Sequence, residues 1–186
     1  KKKVLIIGDS MSRDMFNAFY QNADKFPAYE FARFGMSNTL YEDQLSSLMK
    51  SPNYVHADIV IVRFGIWENL ERFGLFMERL KHSGKHVYMS SNPTAFVNKG
   101  EIPLFDWYLR KYRSTDGNDR RLRELFYAHR NLSSEDVDVK LRQIAQSLDI
   151  PFLNIWDLVC NSKEKSCDGI TPDGYKSYYD QVHWTL

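Results

Sequence analysis

Val4-Leu5-Ile6-Ile7-Gly8-Asp9-Ser10 is the stretch from which the fold is read. Four apolar residues, three of them β-branched, run into a glycine, which predicts a short strand buried on both faces, as in a parallel sheet. Residues 12–23 then place Met15, Phe16, Phe19 and Tyr20 on one face of a helix. The alternation continues outward from there. Strands are predicted at 30–34, ending at Gly35, and at 57–62, 86–89 and 151–155. Helices are predicted at 40–49, at 67–82, stopped by Gly84, and at 134–148, capped by Ser133 or Ser134 with Asp136 in the first turn. Strands alternating with crossover-length helices predict an α/β fold with a mostly parallel sheet covered on both faces. Residues 96–131, rich in Arg, Tyr and Asp, break the rhythm and read as an inserted loop or lid containing a helix.

At 186 residues the chain is sized for one domain. Lys and Arg total 25 against 24 Asp and Glu, a near balance that argues against a dedicated nucleic-acid binder. Hydrophobic residues at 43% and charged residues at 26% exclude intrinsic disorder, and the aromatic share of 15% supplies both a core and the means to line a cleft. No apolar run approaches the roughly 18 residues of a membrane span. Lys1-Lys2-Lys3 leads straight into the first strand without a Met or an apolar leader, so the start reads as the boundary of a domain excised from something larger.

Gly8-Asp9-Ser10 joins the first strand to the first helix. In a parallel sheet, ligands bind beyond the carboxyl ends of the strands. A serine there, at a helix N-terminus, can attack a carbonyl while its own N–H holds the oxyanion. The same tripeptide also serves as a turn glycine with Asp9 or Ser10 capping the helix. Near the other terminus, Asp180-Gln181-Val182-His183 sets a carboxylate three residues before an imidazole, so that the carboxylate can orient the ring and the ring can act as a base. His56, His82, His86 and His129 have no carboxylate at that spacing. Cys160 and Cys167 admit two readings: separate reduced thiols, or a disulfide closing the loop 161–166 in an oxidising compartment. Two cysteines without a His-Xaa-His or Cys-Xaa-Xaa-Cys pattern do not make a zinc site.

Gly-Asp-Ser after the first strand with Asp-Xaa-Xaa-His near the C-terminus resembles the SGNH (GDSL-type) hydrolase superfamily, and the order of strands and helices agrees over essentially the whole chain. The resemblance implies a three-layer α/β/α sandwich, flavodoxin-like, with Ser10 as nucleophile, His183 as general base and Asp180 as its orienting partner. It also implies an oxyanion hole from the N–H groups of Ser10 and Gly35. The family's third motif, Gly-Xaa-Asn-Asp, has no clean match in Gly65-Ile66-Trp67-Glu68-Asn69, which leaves Asn69 and Asn38 as rival third donors, or a third donor that is missing or replaced. No metal or bound cofactor is implied.

The tail from Cys160 through Cys167-Asp168-Gly169 to Tyr179-Asp180-Gln181-Val182-His183-Trp184-Thr185, together with Trp67, is similar to SGNH domains fused behind type-3 membrane acyltransferases, which O-acetylate bacterial surface polysaccharides such as O-antigen and peptidoglycan. That narrower resemblance implies the disulfide, a periplasmic or extracytoplasmic place on a membrane protein, an acetyl donor delivered by a membrane acyltransferase domain of the same protein, and a polysaccharide acceptor. The implied reaction is O-acetyl transfer through a Ser10 acyl-enzyme. The other functions open to such a chain are a carbohydrate acetylesterase and a non-catalytic glycan-binding module. Trp67, Trp107 and Arg113, with Phe105, Tyr108 and Tyr112, are candidates to stack on a glycan or hydrogen-bond it; the 105–113 segment reads equally as an amphipathic helix covering the sheet.

Overall fold

Lys2–Gly8 forms β1, and its apolar residues Val4, Leu5, Ile6 and Ile7 are all buried because both faces of the strand are covered. The computed structural model describes residues 1–40, 42–65, 69–113, 119–171 and 175–185. They divide into two units, the first comprising Lys1–Asn92 with Asp136–Leu153 and the second Pro93–Glu135 with Asn154–Leu186.

In the first unit, β1 is followed by α1 (Ser10–Gln21), a 3-10 turn (Ala23–Lys25) and β2 (Tyr29–Gly35). Then come α2 (Glu42–Lys50), α3 (Pro52–Val55), β3 (Ile59–Val62), α4 (Leu70–Lys81) and β4 (His86–Ser90). The five-stranded sheet, completed by β5 (Phe152–Leu153), has the order β2-β1-β3-β4-β5, and every pair is parallel. This is the doubly wound order whose switch point lies between β1 and β3. Alternate residues Leu5, Ile7, Val60, Val62, Val87 and Met89 join Leu48 of α2, Phe73, Met77 and Leu80 of α4 and Leu141 in one core. Helix α1 packs along β1 and β2, with Phe19 stacked on Phe31 at 4.8 Å. The expected α/β sandwich with a parallel sheet is therefore the fold observed.

The second unit has its own core, built from Phe96, Leu104, Phe105, Tyr108, Leu122, Phe126, Ile170 and Tyr178. Here the expected single helix is replaced by two, α5 (Leu104–Tyr112) and α6 (Arg120–Ala128), because Asp119 caps α6 by accepting from the Arg121 N–H at 2.9 Å. Helix α7 (Leu132–Ser147) starts earlier than expected. Asn131 accepts from the Ser133 N–H at 3.1 Å, while Ser134 donates its hydroxyl to the Pro93 carbonyl at 2.8 Å instead of capping. Past α8 (Trp156–Val159), the short strands β6 (Cys160–Asn161) and β7 (Ser166–Cys167) pair antiparallel with Cys160 opposite Cys167, and a disulfide joins the two. Closing a loop this small should contribute about 2–3 kcal/mol, mainly by restricting the unfolded chain. Adding reductant should lower the unfolding free energy by that amount, measured by urea titration; equal midpoints with and without reductant would show the bond to be thermodynamically silent.

Candidate active site

Ser10 is the first residue of α1, and Asp9 caps the helix by accepting from the Met11 N–H at 2.9 Å. The Ser10 N–H belongs to the first turn, whose N–H groups point out of the helix toward any negative charge forming there. The second Asp9 oxygen accepts from the Gly65 N–H at 3.0 Å, which ties the turn after β1 to the turn after β3. The serine is thereby fixed at the switch point of the sheet. Gly35 stands level with Gly8 at the carboxyl end of β2, and the Met36 N–H donates to the Gly8 carbonyl at 3.0 Å.

Around Asp9 runs a polar ring that sequence reading did not single out. Arg33 donates from Nε to the Ser12 hydroxyl at 2.8 Å and from Nη2 to the Asp9 carbonyl at 2.9 Å, and Ser12 Oγ donates to the same carbonyl at 2.7 Å. Burial and the neighbouring Arg13 lower the Arg33 pKa from its ordinary value, with Asp9 and Asp14 opposing them. Asn38 donates its side-chain amide to the Gly65 carbonyl at 3.1 Å, so it braces the turn after β3. Asn69 is in the left-handed region, φ 59°, as the residue before α4, without a side-chain capping bond. Trp67 lies outside the described residues.

In the second unit, Asp180 and His183 form a hydrogen-bonded pair. Asp180 Oδ2 faces His183 Nδ1 at 2.7 Å, and Oδ1 accepts from the N–H groups of Val182 and His183, both at 2.8 Å. A proton on Nδ1 leaves Nε2 as the basic nitrogen. Tyr179 stacks on the imidazole at 5.4 Å, and the Tyr179 N–H donates to the His183 carbonyl at 3.1 Å. This loop is stitched to the disulfide segment, since the Ser177 N–H donates to the Gly169 carbonyl at 2.9 Å. Burial alone would raise the Asp180 pKa. The hydrogen bonds from the His183 and Val182 N–H groups and from the imidazole outweigh it, so the carboxyl titrates below its usual value. Because folding lowers this pKa, the stability it contributes is present above the unfolded carboxyl's pKa and is lost as pH falls through the lower, folded one. The melting temperature of the wild type should therefore fall more steeply below about pH 4 than that of Asp180→Asn; parallel curves would remove Asp180 from the acid response.

The aromatic candidates of α5 separate by burial. Phe105 and Tyr108 are core residues at 4% and 3% exposure, which corrects their candidacy as glycan-stacking faces. The Tyr108 hydroxyl also bonds to Asp119, and burial followed by that bond pushes its pKa up to about 12. Trp107 is half-buried, with the Lys111 ammonium 4.7 Å and the Lys99 ammonium 5.7 Å from its ring centre. Arg113 is exposed and left-handed, φ 52°, at the end of α5.

The first unit thus carries a serine at the switch point of its sheet, and the second carries a carboxylate-oriented imidazole. The family model of the SGNH domain (fused to AT3 domains) matches residues 1–186, and the chain belongs to that family. The fold is similar to that of a GDSL-like lipase from Bacteroides thetaiotaomicron (TM-score 0.56, 15% identity, covering 99% of this chain and 80% of that one). It is similar in the same way to a putative acylhydrolase from Bacteroides fragilis (TM-score 0.56, 16% identity, 99% and 79% covered). An acetyl xylan esterase shares it too (TM-score 0.54, 14% identity, 98% and 91% covered). No curated protein matches the chain in sequence. The chain is an SGNH domain of the kind fused to AT3 domains, and among the described residues no helix is long and apolar enough to cross a membrane.

Proposed function

We propose that this domain is an O-acetyltransferase that moves an acetyl group, through an acyl-enzyme on Ser10, to a sugar hydroxyl of a bacterial surface polysaccharide such as O-antigen or peptidoglycan. The observation that carries the reading is the Asp180/His183 pair, held by three hydrogen bonds, in a chain whose family is fused to AT3 domains. Both units serve one catalytic domain, 1–186, on the periplasmic or extracytoplasmic face of a larger membrane protein.

His183 takes the proton from Ser10 Oγ, which attacks the acetyl carbonyl. The N–H groups of Ser10 and Gly35 hold the oxyanion, with Asn69 as third donor; Asn38 is engaged with Gly65. Collapse expels the donor's leaving group, protonated by His183. A sugar hydroxyl, deprotonated by the same imidazole, then attacks the acyl-enzyme, and Ser10 is regenerated. The AT3 domain supplies the acetyl donor. Trp67, Trp107 and Arg113, with the 96–131 segment as a lid, orient the acceptor, which must outcompete water. A carbohydrate acetylesterase is the second reading, favoured by the likeness to the acetyl xylan esterase.

The test is to acetylate the domain with 4-nitrophenyl acetate and add bacterial surface oligosaccharides, with and without the AT3 domain. Acetylated sugar detected by mass spectrometry is the expected product. Trp107→Ala and Arg113→Ala should lower its yield more than they lower acetate release. Acetate alone with every acceptor, AT3 domain included, would decide for the esterase.

A further inference from the structure

Resting on the assignment of Ser10 as nucleophile, we infer that Arg33 is a positioning residue that aims and polarises the N–H of Ser10 through the peptide linking Asp9 to Ser10. That peptide's carbonyl oxygen takes three donors: Arg33 Nη2 at 2.9 Å, Ser12 Oγ at 2.7 Å and the Ser12 N–H at 3.1 Å. Two of these are cross-linked, because Arg33 Nε donates to Ser12 Oγ at 2.8 Å. Ser12 is fully buried, while Asp9 and Arg33 are half-buried. Arg33 Nη2 also reaches the Gly8 carbonyl at 3.4 Å.

The peptide unit is planar and trans, so its N–H points opposite to its C=O. Fixing the carbonyl of Asp9 therefore fixes the direction of the Ser10 N–H. Donors on a carbonyl oxygen also draw electron density through the amide and strengthen the N–H as a donor, by about 10–30% per bond. An oxyanion hole works by preorganised donors that do not need to turn during the reaction. Arg33 supplies that preorganisation without touching the substrate.

Gly35 acquires a second reason to be glycine. Arg33 and Gly35 lie two residues apart on β2, hence on one face of the strand. A Cβ on Gly35 would lie 3.1 Å from Nη2 and 3.2 Å from Nη1 of Arg33. The guanidinium borders the space that a side chain at 35 would occupy, so a Cβ there requires it to shift by a few tenths of an ångström against its bond to the Asp9 carbonyl.

The test is steady-state hydrolysis of 4-nitrophenyl acetate by the full chain. Arg33→Ala should lower kcat about 10- to 100-fold, less than deleting an oxyanion donor outright, with KM within about twofold. Guanidinium ion at millimolar concentration should restore part of the rate in Arg33→Ala and none in the wild type. Arg33→Lys should recover little, because an ammonium cannot serve the carbonyl and the Ser12 hydroxyl in the same fork. Gly35→Ala, which keeps its own N–H, should slow the wild type several-fold and add nothing in the Arg33→Ala background. Should Arg33→Ala not fold, Ser12→Ala takes its place, with a several-fold fall in kcat expected. Wild-type kcat in the folded variant, or a loss carried by KM alone, overturns the inference. Ser10→Ala is measured alongside. If it is inactive while Arg33→Ala is fully active, the inference alone falls. If Ser10→Ala is active, the nucleophile assignment falls and takes the inference with it.

Discussion

Ser10→Ala and His183→Ala are each expected to lower turnover of a small acetyl ester by about three orders of magnitude or more, with the melting temperature little changed. Neither side chain fills the core: Ser10 sits at a helix start and His183 on a loop. The double variant should be no slower than either single one, because a nucleophile without its base and a base without its nucleophile fail at the same step. Asp180→Asn should cost about as much, near 10⁴-fold. The carboxylate accepts on both oxygens, from two backbone N–H groups on one side and from the imidazole on the other. An amide has one oxygen. If that oxygen keeps the backbone donors, its NH₂ faces Nδ1 and drives the proton to Nε2, which removes the base. If it faces the ring instead, the NH₂ opposes two N–H groups and the loop opens. Near wild-type turnover in folded Ser10→Ala would sink the nucleophile assignment.

What could be read from the chain was what is local. The run Val4-Leu5-Ile6-Ile7 ending in Gly8 carries its burial in its composition, and the strand-turn-serine unit follows within three residues. The Asp180/His183 pair was legible because three residues of a tight loop bring the two side chains together whatever else the chain does. The Arg33 ring was not, because it joins residues 21 to 25 positions apart and exists only through the β1–β2 register that sets Gly8 against Gly35. Its trace in sequence is an arginine between Ala32 and Phe34, two residues before the glycine that ends the strand. The β6–β7 hairpin escaped because two-residue strands carry no alternation to detect. On α5, Phe105 and Tyr108 share the helix with Trp107, and composition cannot say which of them meets the core. Helix α4 starts at Leu70 rather than 67, after a left-handed Asn69 that hydrophobic spacing does not signal.

Gly8→Ala is expected to be the most destabilising single-methyl change in the first unit, at about 3–5 kcal/mol. A Cβ at this position would lie 1.7 Å from the Arg63 carbonyl oxygen, 2.7 Å from its carbon and 3.1 Å from Ser12 Cβ, on a backbone with φ of +150°. The obstacle is backbone that cannot yield. The Arg63 N–H donates to the Ile7 carbonyl at 2.9 Å, continuing the β1–β3 ladder. Its side chain is 1% exposed, with Nη1 donating to the Ser91 carbonyl at 3.3 Å and the Ser90 hydroxyl at 3.4 Å. Relief requires β1 and β3 to part at their carboxyl ends, which stretches the bond from Gly65 to Asp9 and moves the start of α1 with Ser10 on it. An error of 1 Å there costs about 100-fold in rate. So even the fraction of Gly8→Ala that remains folded should be a poor enzyme. Gly74 provides the opposite case. It lies inside α4 with nothing within 4 Å of an added Cβ, so Gly74→Ala should stabilise by about 0.5–1 kcal/mol and leave turnover unchanged. Urea midpoints and turnover measured on both variants decide the matter. A Gly8→Ala protein with the wild-type midpoint would show that β1 and β3 can separate at the switch point without loss, and the rigid placement of Ser10 would have to be abandoned.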